Sequence, residues 1–148
     1  MNLLLVSQEE IDTQGCVLLT ARRHQHIKNI HRLKLGDTLQ AGVVNGLCGE
    51  AEIIEVQAET TRIKLNLYKP PPSALPVTLL LALPRPRMLA RSLEHLAALG
   101  VKKIILLNTA RVEKSFWQSP ELKPEKIHQH LILGLEQAKD TLLPEVIL

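Results

Sequence analysis

Aromatic and cysteine residues are scarce in this sequence of 148 residues. Aromatic side chains make up only 2% of it, as Tyr68, Phe116 and Trp117. A surface that binds single-stranded nucleic acid by base stacking needs several aromatic rings, so the composition argues against such a platform. The two cysteines, Cys16 and Cys48, are too few for a disulfide framework, and we interpret both as reduced, partly buried thiols.

Long hydrophobic runs and a secretory leader are also missing. No apolar run approaches the roughly 20 residues that cross a bilayer, and the longest candidate, residues 77–83, has only the length of a strand. Residues 1–6 lack the basic start and the small-residue cleavage site of a signal peptide. With 45% hydrophobic and 22% charged residues, the sequence predicts a soluble folded protein of the cytoplasm with no membrane partner.

Familiar motifs for catalysis and metal binding do not occur. The sequence contains no G-x-G-x-x-G, no G-x-x-x-x-G-K-[ST] and no G-x-S-x-G motif. His24, His26 and His31 lie close together, but no cysteine or carboxylate within that stretch completes a ligand set. No metal site is therefore predicted.

Positive charge is concentrated in two stretches that are free of acidic residues, in a chain whose formal net charge is +3. No Asp or Glu lies between Gln14 and Gly36. The basic residues of that stretch are Arg22, Arg23, Lys28, Arg32 and Lys34. The second stretch contains Arg85, Arg87 and Arg91. Two separate basic clusters favour a polyanionic partner, and a solvated surface is the alternative interpretation.

The N-terminal part has the pattern of a small β-barrel. Short apolar or alternating runs predict strands at residues 3–6, 16–19, 38–44, 47–56 and 61–68. The pair Asn45-Gly46 predicts a hairpin turn. Between residues 20 and 33, Ile27 and Ile30 recur at helical spacing, and Thr20 can cap the helix. Five or six short strands with one basic helix favour a barrel.

A proline-rich segment at residues 70–76 predicts a linker, because three consecutive prolines cannot join a sheet or the interior of a helix. The predicted domains are therefore residues 1–69 and residues 77–148. The second domain follows a β-α-β-α-β pattern, which is normally wound right-handed into a parallel sheet.

The predicted parallel sheet has three strands, at residues 77–83, 104–107 and 145–148. The first is a continuous apolar run, which is expected of a strand buried on both faces, and the second is also expected to be buried. Three strands and two helices leave one side of such a sheet uncovered. We therefore expect a longer protein, or a partner that supplies the missing edge.

Arginine residues follow the first two strands of the predicted parallel sheet. Arg85 and Arg87 follow the first strand, and Arg111 follows the second. Parallel strands end at one edge, where open α/β sheets bind ligands, so we expect the three guanidinium groups to converge there and contact phosphates. The alternatives are ordinary surface arginines and a salt bridge between Arg111 and Glu113.

Two further features accompany this predicted edge. Pro84 and Pro86 are expected to keep the arginines from folding into the following helix. Glu136 and Gln137 lie late in the second predicted helix, where a solvated helix face is the alternative to a functional role.

Four segments resemble the bacterial 16S ribosomal RNA uridine-N3 methyltransferases. Residues 26–37, H-I-K-N-I-H-R-L-K-L-G-D, resemble the family signature H-x-x-x-V-L-R-hydrophobic-x-x-G-D, and residues 83–88, L-P-R-P-R-M, resemble L-P-K-x-x-[KR]-M. Residues 98–104 resemble E-L-G-V-x-x-I, and Glu136-Gln137 matches an E-Q pair. Departures such as Ala110-Arg111-Val112, where many members have E-R-S, resemble those of a divergent subgroup.

The resemblance implies an α+β protein in which an N-terminal PUA-like RNA-binding β-barrel precedes the first half of an α/β parallel-sheet domain of the SPOUT class. It implies methyl transfer from S-adenosylmethionine to N3 of a uridine in the 16S ribosomal RNA of the small ribosomal subunit. A homodimer is implied as well, because SPOUT cofactor sites lie at or near the subunit interface.

The cofactor site of the family is a C-terminal knot with a glycine-rich loop, and this loop does not occur here. We therefore predict no cofactor-binding residue in this chain, expect the site in a missing C-terminal part, and expect the chain alone to be inactive. A non-catalytic RNA-binding protein that kept the barrel and lost the knot is the alternative.

The resemblance and the charge pattern together define candidate residues. The catalytic candidates are Arg85, Arg87, Arg111 and Glu136. The RNA-binding candidates are Arg22, Arg23, His26, Lys28, Arg32, Arg85, Arg87 and Arg111. In the N-terminal helix, the arginines and Lys28 are expected on an exposed face, because Ile27 and Ile30 must turn inward. The two basic clusters are expected to form one RNA track.

Overall fold

The structure, a computed structural model, describes residues 2–148, except for the side chains of residues 30 and 31. The described chain divides into two compact units, Asn2–Pro71 and Pro72–Leu148. The first is mainly β-sheet and the second alternates strands with helices, so the predicted α+β class is confirmed.

The N-terminal unit is built on a curled five-stranded sheet. Its strands are β1 (Leu4–Val6), β2 (Cys16–Leu19), β3 (Thr38–Val43), β4 (Cys48–Val56) and β5 (Thr61–Lys69). Their order in the sheet is β1-β3-β4-β5-β2, with β1 parallel to β3 and the other pairs antiparallel. The predicted hairpin turn between β3 and β4 is present: the Gly46 N–H donates to the Val43 carbonyl over 2.8 Å, and Asn45 has a positive φ of 59°.

The core of this unit is formed by apolar side chains of its strands and of the helical segment. Its most deeply buried large side chains are Leu4, Leu19, Ile27, Ile53 and Ile63. The pairing of β4 with β5 shifts register between Ile53 and Glu55, and such irregularities bend a sheet and increase its twist. Both cysteines are buried and free.

The segment between β2 and β3 differs from the single helix predicted there. A short helix, α1 (Ala21–Gln25), continues into one turn of π-helix, His26–His31. Thr20 occupies the N-cap position, but its side chain makes no capping hydrogen bond. Ile27 is buried as predicted, whereas the side chain of Ile30 lies outside the described residues. Arg32 ends the segment with a left-handed φ of 51°.

The C-terminal unit contains a three-stranded parallel sheet and two helices. The elements are β6 (Thr78–Ala82), α2 (Pro86–Ala98), β7 (Lys103–Leu107), α3 (Pro124–Ala138) and β8 (Glu145–Ile147). The strand order β6-β7-β8 follows the chain. Right-handed crossovers between strands in this order place both helices on the same face of the sheet.

The two helices pack closely through a glycine in α3. A Cβ added to Gly134 would overlap the backbone oxygen of Glu94 in α2 and lie 2.8 Å from the Cβ of Ala97. The helices bury Leu89 and Leu93 of α2 between themselves and the sheet. None of the helices formed by the described residues has the length and the hydropathy to cross a membrane.

The expectation that the first parallel strand is buried on both faces is wrong. Leu80 in β6 is 62% exposed, and Leu107 and Ile147 on the same face of the sheet are also exposed. In β7, Ile104 and Leu106 are buried, but Leu107 is not, so the second strand is buried on one face only. The physical reason is that both crossovers have the same hand, which leaves the opposite face without a helix.

Candidate nucleic-acid interface

The carboxyl edge of the parallel sheet carries the first set of candidate residues. β6 and β7 are in parallel register from Thr78 opposite Lys103 to Ala82 opposite Leu107. Immediately beyond them, the Leu83 N–H donates to the Leu107 carbonyl over 2.9 Å. The loops that carry the arginines therefore leave the sheet side by side at the same edge, as the topology predicts.

Three arginines, which we call the rim arginines, stand at this edge: Arg85, Arg87 and Arg111. All three are exposed. Within the described part of the chain, none of their guanidinium groups forms a hydrogen bond or an ion pair, and Arg111 does not pair with Glu113. Three uncompensated guanidinium groups at one edge of a sheet can bind phosphate or stabilise a developing negative charge.

The expected effect of the prolines is wrong for one of these arginines. Pro86 occupies the first turn of α2, where its missing N–H costs no helical hydrogen bond, so it starts the helix and does not exclude Arg87 from it. Arg85 is the N-cap residue of α2 and Arg87 belongs to its first turn. Arg85 and Arg87 thus place two cations at the N-terminal end of α2, where the Met88 and Leu89 N–H groups donate to the Arg85 carbonyl over 2.8 and 2.9 Å.

The loop that carries Arg111 is anchored at both ends. The Trp117 indole Nε1 donates to the Asn108 side-chain oxygen over 3.1 Å, which ties a short 3₁₀ turn to the end of β7.

Further along, His130 in α3 lies 2.7 Å from Glu121 and 3.1 Å from Glu94. Sequence reasoning missed His130, because its partners come from two other segments of the chain.

Glu136 does not belong to this edge. It is 1% exposed, so a solvated helix face is the wrong interpretation. Because α3 returns antiparallel to the strands, its last turn lies at the amino edge of the sheet, opposite to the rim arginines.

Nearby, Lys102 donates to Asp140 over 2.6 Å and to the Leu142 carbonyl over 2.7 Å. Sequence reasoning also missed the ion pair of Lys102 and Asp140, because the two residues are 38 positions apart in the sequence.

The second set of candidates lies on the helical segment of the N-terminal unit. Arg22, Lys28 and Arg32 are exposed, and His26 is half-buried. The predicted exposure of Arg22, Lys28 and Arg32 is confirmed, and their contact with RNA stays a prediction.

Arg23 is an exception, because it is turned into the unit. Its guanidinium group makes two hydrogen bonds to the Glu10 carboxylate and a third, of 3.3 Å, to the Leu5 carbonyl. Burial raises the pKa of Glu10, but hydrogen bonds from Arg23 and from the Ser7 N–H, with the charge of Arg23, outweigh it and hold this pKa below its ordinary value of 4.5. The expectation that Arg23 shares the exposed face is therefore wrong.

His24 has a structural role, which sequence reasoning missed: its buried ring bonds to residues of a distant turn. Its ring is 3% exposed, with Nδ1 2.8 Å from the Thr61 hydroxyl and Nε2 3.1 Å from the Ala58 carbonyl. Because a carbonyl only accepts, Nε2 carries the proton and Nδ1 accepts from Thr61. The ring thereby fastens the helical segment to the turn between β4 and β5. Among the described residues, no three metal-binding side chains lie close enough to share an ion.

The residues at the rim do not by themselves fit a wrapped cofactor. Such a site needs glycines that let the backbone approach the ligand. All seven glycines lie elsewhere: Gly15, Gly36, Gly42, Gly46, Gly49, Gly100 and Gly134. The loops that follow β6 and β7 contain none.

Comparison with known proteins identifies relatives over the whole chain. It is 36% identical to Ribosomal RNA small subunit methyltransferase E of Treponema pallidum over 97% of its length and 55% of the relative. It is 30% identical to Ribosomal RNA small subunit methyltransferase E 1 of Borreliella burgdorferi over 99% of its length and 60% of the relative. The chain thus spans little more than half the length of the curated relatives it matches.

A solved structure and a family model agree with these relatives. Ribosomal RNA small subunit methyltransferase E of Neisseria gonorrhoeae, bound to S-adenosyl methionine, matches the fold with a TM-score of 0.73 at 16% identity, over all of this chain and 60% of that protein. The family model of the RNA methyltransferase domain matches residues 71–148, which include the rim arginines. Because this model covers more than half of the chain, the chain belongs to the RNA methyltransferase domain family.

Proposed function

We propose that this chain forms the RNA-binding part and the first half of the catalytic domain of a ribosomal RNA methyltransferase. In this proposal the enzyme transfers a methyl group from S-adenosylmethionine to N3 of a uridine in 16S ribosomal RNA. The observation that carries it is the set of three exposed arginines whose guanidinium groups have no partner among the described residues, at the carboxyl edge of a sheet inside the family match. The names of the curated relatives support the class of substrate.

The rim arginines have two tasks in this reaction. Transfer to N3 requires that the uracil ring be held in line with the methyl group and that N3 lose its proton. Arg85, Arg87 and Arg111 bind phosphates beside the target nucleotide and stabilise negative charge on the uracil carbonyls as the N3 proton leaves. S-adenosylmethionine supplies the methyl group, and its site lies in the part of the family's length that this chain does not span.

The N-terminal unit is proposed to be a PUA-like RNA-binding domain. Arg22, His26, Lys28 and Arg32 contact the RNA backbone, whereas Arg23 is withdrawn from this set because it pairs with Glu10. The parallel sheet is proposed to be of the SPOUT class, and the complete enzyme to be a homodimer that acts on the small ribosomal subunit in the cytoplasm.

The experiment that tests this proposal is a salt titration of RNA binding. The 148-residue chain is titrated with a fluorescent fragment of 16S ribosomal RNA, and the logarithm of affinity is followed against the logarithm of salt concentration. Replacing each rim arginine by glutamine is expected to reduce the slope by about 0.7 per lost phosphate contact. Lys139→Gln is the matched control, because Lys139 is exposed at the amino edge. An equal loss of slope in Lys139→Gln and in the rim variants contradicts the proposal.

A non-catalytic RNA-binding protein is the second candidate function. It is favoured by one observation, that the loops after β6 and β7 contain no glycine to approach a cofactor. Calorimetric titration of this chain with S-adenosylmethionine is expected to detect no micromolar binding. Methyl incorporation into 16S ribosomal RNA by the chain alone would exclude the second candidate.

A further inference from the structure

A cleft of about 570 Å³ opens between the helical segment and the turn that joins β4 to β5. Its volume lies within the range of pockets that hold small ligands. Gln25, Lys28 and Asn29 line one wall, Ala58 and Glu59 line the other, and the buried His24 lies between them. We call this feature the amide cleft.

The walls of the amide cleft are held in place by buried contacts. His24 joins the two walls through its hydrogen bonds to Thr61 and to the Ala58 carbonyl. Lys28 and Asn29 follow Gln25 by three and four residues, so both are neighbours of Gln25 on the surface of the helical segment. His24 therefore holds the two walls of the cleft together.

The polar groups of the cleft are free to bind. In the part of the chain that the structure describes, Gln25, Lys28, Asn29 and Glu59 make no side-chain hydrogen bond or ion pair. They supply one cation, two amides that both donate and accept, and one carboxylate that only accepts. A phosphate group alone would use Lys28 and be repelled by Glu59, so the ligand must also carry N–H donors.

We propose that the amide cleft holds one unpaired nucleotide of the RNA substrate, with its phosphate on Lys28 and its base edge against Gln25, Asn29 and Glu59. Guanine fits best, because its N1–H and N2–H groups are adjacent donors that one carboxylate can accept together. The chain has too few aromatic rings for a stacking platform, so this base is recognised by hydrogen bonds. The inference rests on the proposed RNA-binding function.

The test compares short RNAs that differ in one base. The 148-residue chain is titrated with a fluorescent uridine hexamer, and with the same hexamer carrying one central guanosine or one central inosine, which lacks the N2 amine. The guanosine hexamer is expected to bind about fivefold more tightly or better than the others. Glu59→Gln and the double variant of Gln25→Ala and Asn29→Ala are expected to remove this preference with the salt slope unchanged.

The controls separate this inference from the proposed function. Gln40→Ala alters an exposed glutamine on β3 of the same unit and is expected to keep the guanosine preference. If the wild-type chain binds none of the RNAs and no 16S fragment, the proposed function fails and the inference fails with it. If the chain binds RNA without a guanosine preference, or if the cleft variants keep that preference, only the inference fails.

Discussion

Arg22 and Arg23 are neighbours with the same charge, but the fold gives them different surroundings. Arg22 is exposed, whereas Arg23 bonds Glu10 and the Leu5 carbonyl. Arg23→Ala is expected to lower the free energy of unfolding by about 1–2 kcal/mol, because it leaves a partly buried carboxylate without its partner. Urea denaturation followed by circular dichroism measures this change. Lys28→Ala, at an exposed position of the same segment, is expected to stay within about 0.5 kcal/mol.

The same contact predicts how stability depends on pH. Because the pKa of folded Glu10 lies below 4.5, its contribution is complete above about pH 4.5 and is lost as the pH falls through the lowered value. Denaturation curves of the wild type are therefore expected to shift to lower urea as acid is added. Arg23→Ala is expected to weaken this acid dependence. The prediction is contradicted if both proteins lose stability in parallel over the same pH range.

His130 joins two other segments through its ring. Its Nδ1 lies 3.1 Å from the Glu94 carboxylate of α2, and its Nε2 lies 2.7 Å from the Glu121 carboxylate, which precedes α3. His130→Ala is expected to cost about 1–3 kcal/mol, because two part-buried carboxylates lose their donor. His128→Ala, on the exposed side of the same helix, serves as the control. Equal unfolding midpoints for the two variants would refute the assignment.

At the scale of elements, α2 and α3 approach each other closely at Gly134. Intrinsic helix propensity alone predicts that Gly134→Ala stabilises α3 by about 1 kcal/mol. The structure predicts the opposite sign, a loss of about 1–3 kcal/mol, since the new methyl group would overlap the Glu94 carbonyl and crowd Ala97. Thermal unfolding of this variant decides between the two, and a raised midpoint would show that the helices can move apart at no cost.

The elements themselves were largely predictable, and the reasons are local. Strands such as Cys16–Leu19 and Thr61–Lys69 carry apolar or alternating runs. In the C-terminal unit, Pro86 and Pro124 start the two helices, and Gly100 follows the end of α2. The π-turn at His26–His31 was not predictable, because no residue in it departs from an ordinary helical pattern.

The site was predictable where it depends on topology. The rim arginines were found because parallel strands must end at one edge. Arg23 and Glu136 were misplaced, because their burial depends on segments distant in the sequence. The amide cleft was missed for the same reason, as Glu59 lies far along the chain from Gln25.

At the scale of the molecule, the parallel sheet has one covered face and one open apolar face. Leu80→Ala is expected to change the free energy of unfolding by less than about 1 kcal/mol, because the side chain is already 62% exposed. The same substitution at Leu93, which is 0% exposed, is expected to cost about 2–5 kcal/mol.

Leu80→Ala is also expected to reduce self-association of the chain, since it shrinks an exposed apolar patch. Analytical ultracentrifugation over a range of concentrations measures this effect. A loss of stability at position 80 equal to that at position 93 would mean that the open face is covered in solution.

Strand pairing also governs when each part of the chain can acquire structure during synthesis. In the N-terminal unit, β1 lies beside β3 and β2 beside β5, with Leu4 opposite Ala41 and Cys16 opposite Lys64. These early strands must therefore wait for distant partners to leave the ribosome. In the C-terminal unit, each new strand is added beside the preceding one. Translation thus supplies the second unit in the order in which its sheet grows, while the first unit holds unpaired strands until most of it has been made.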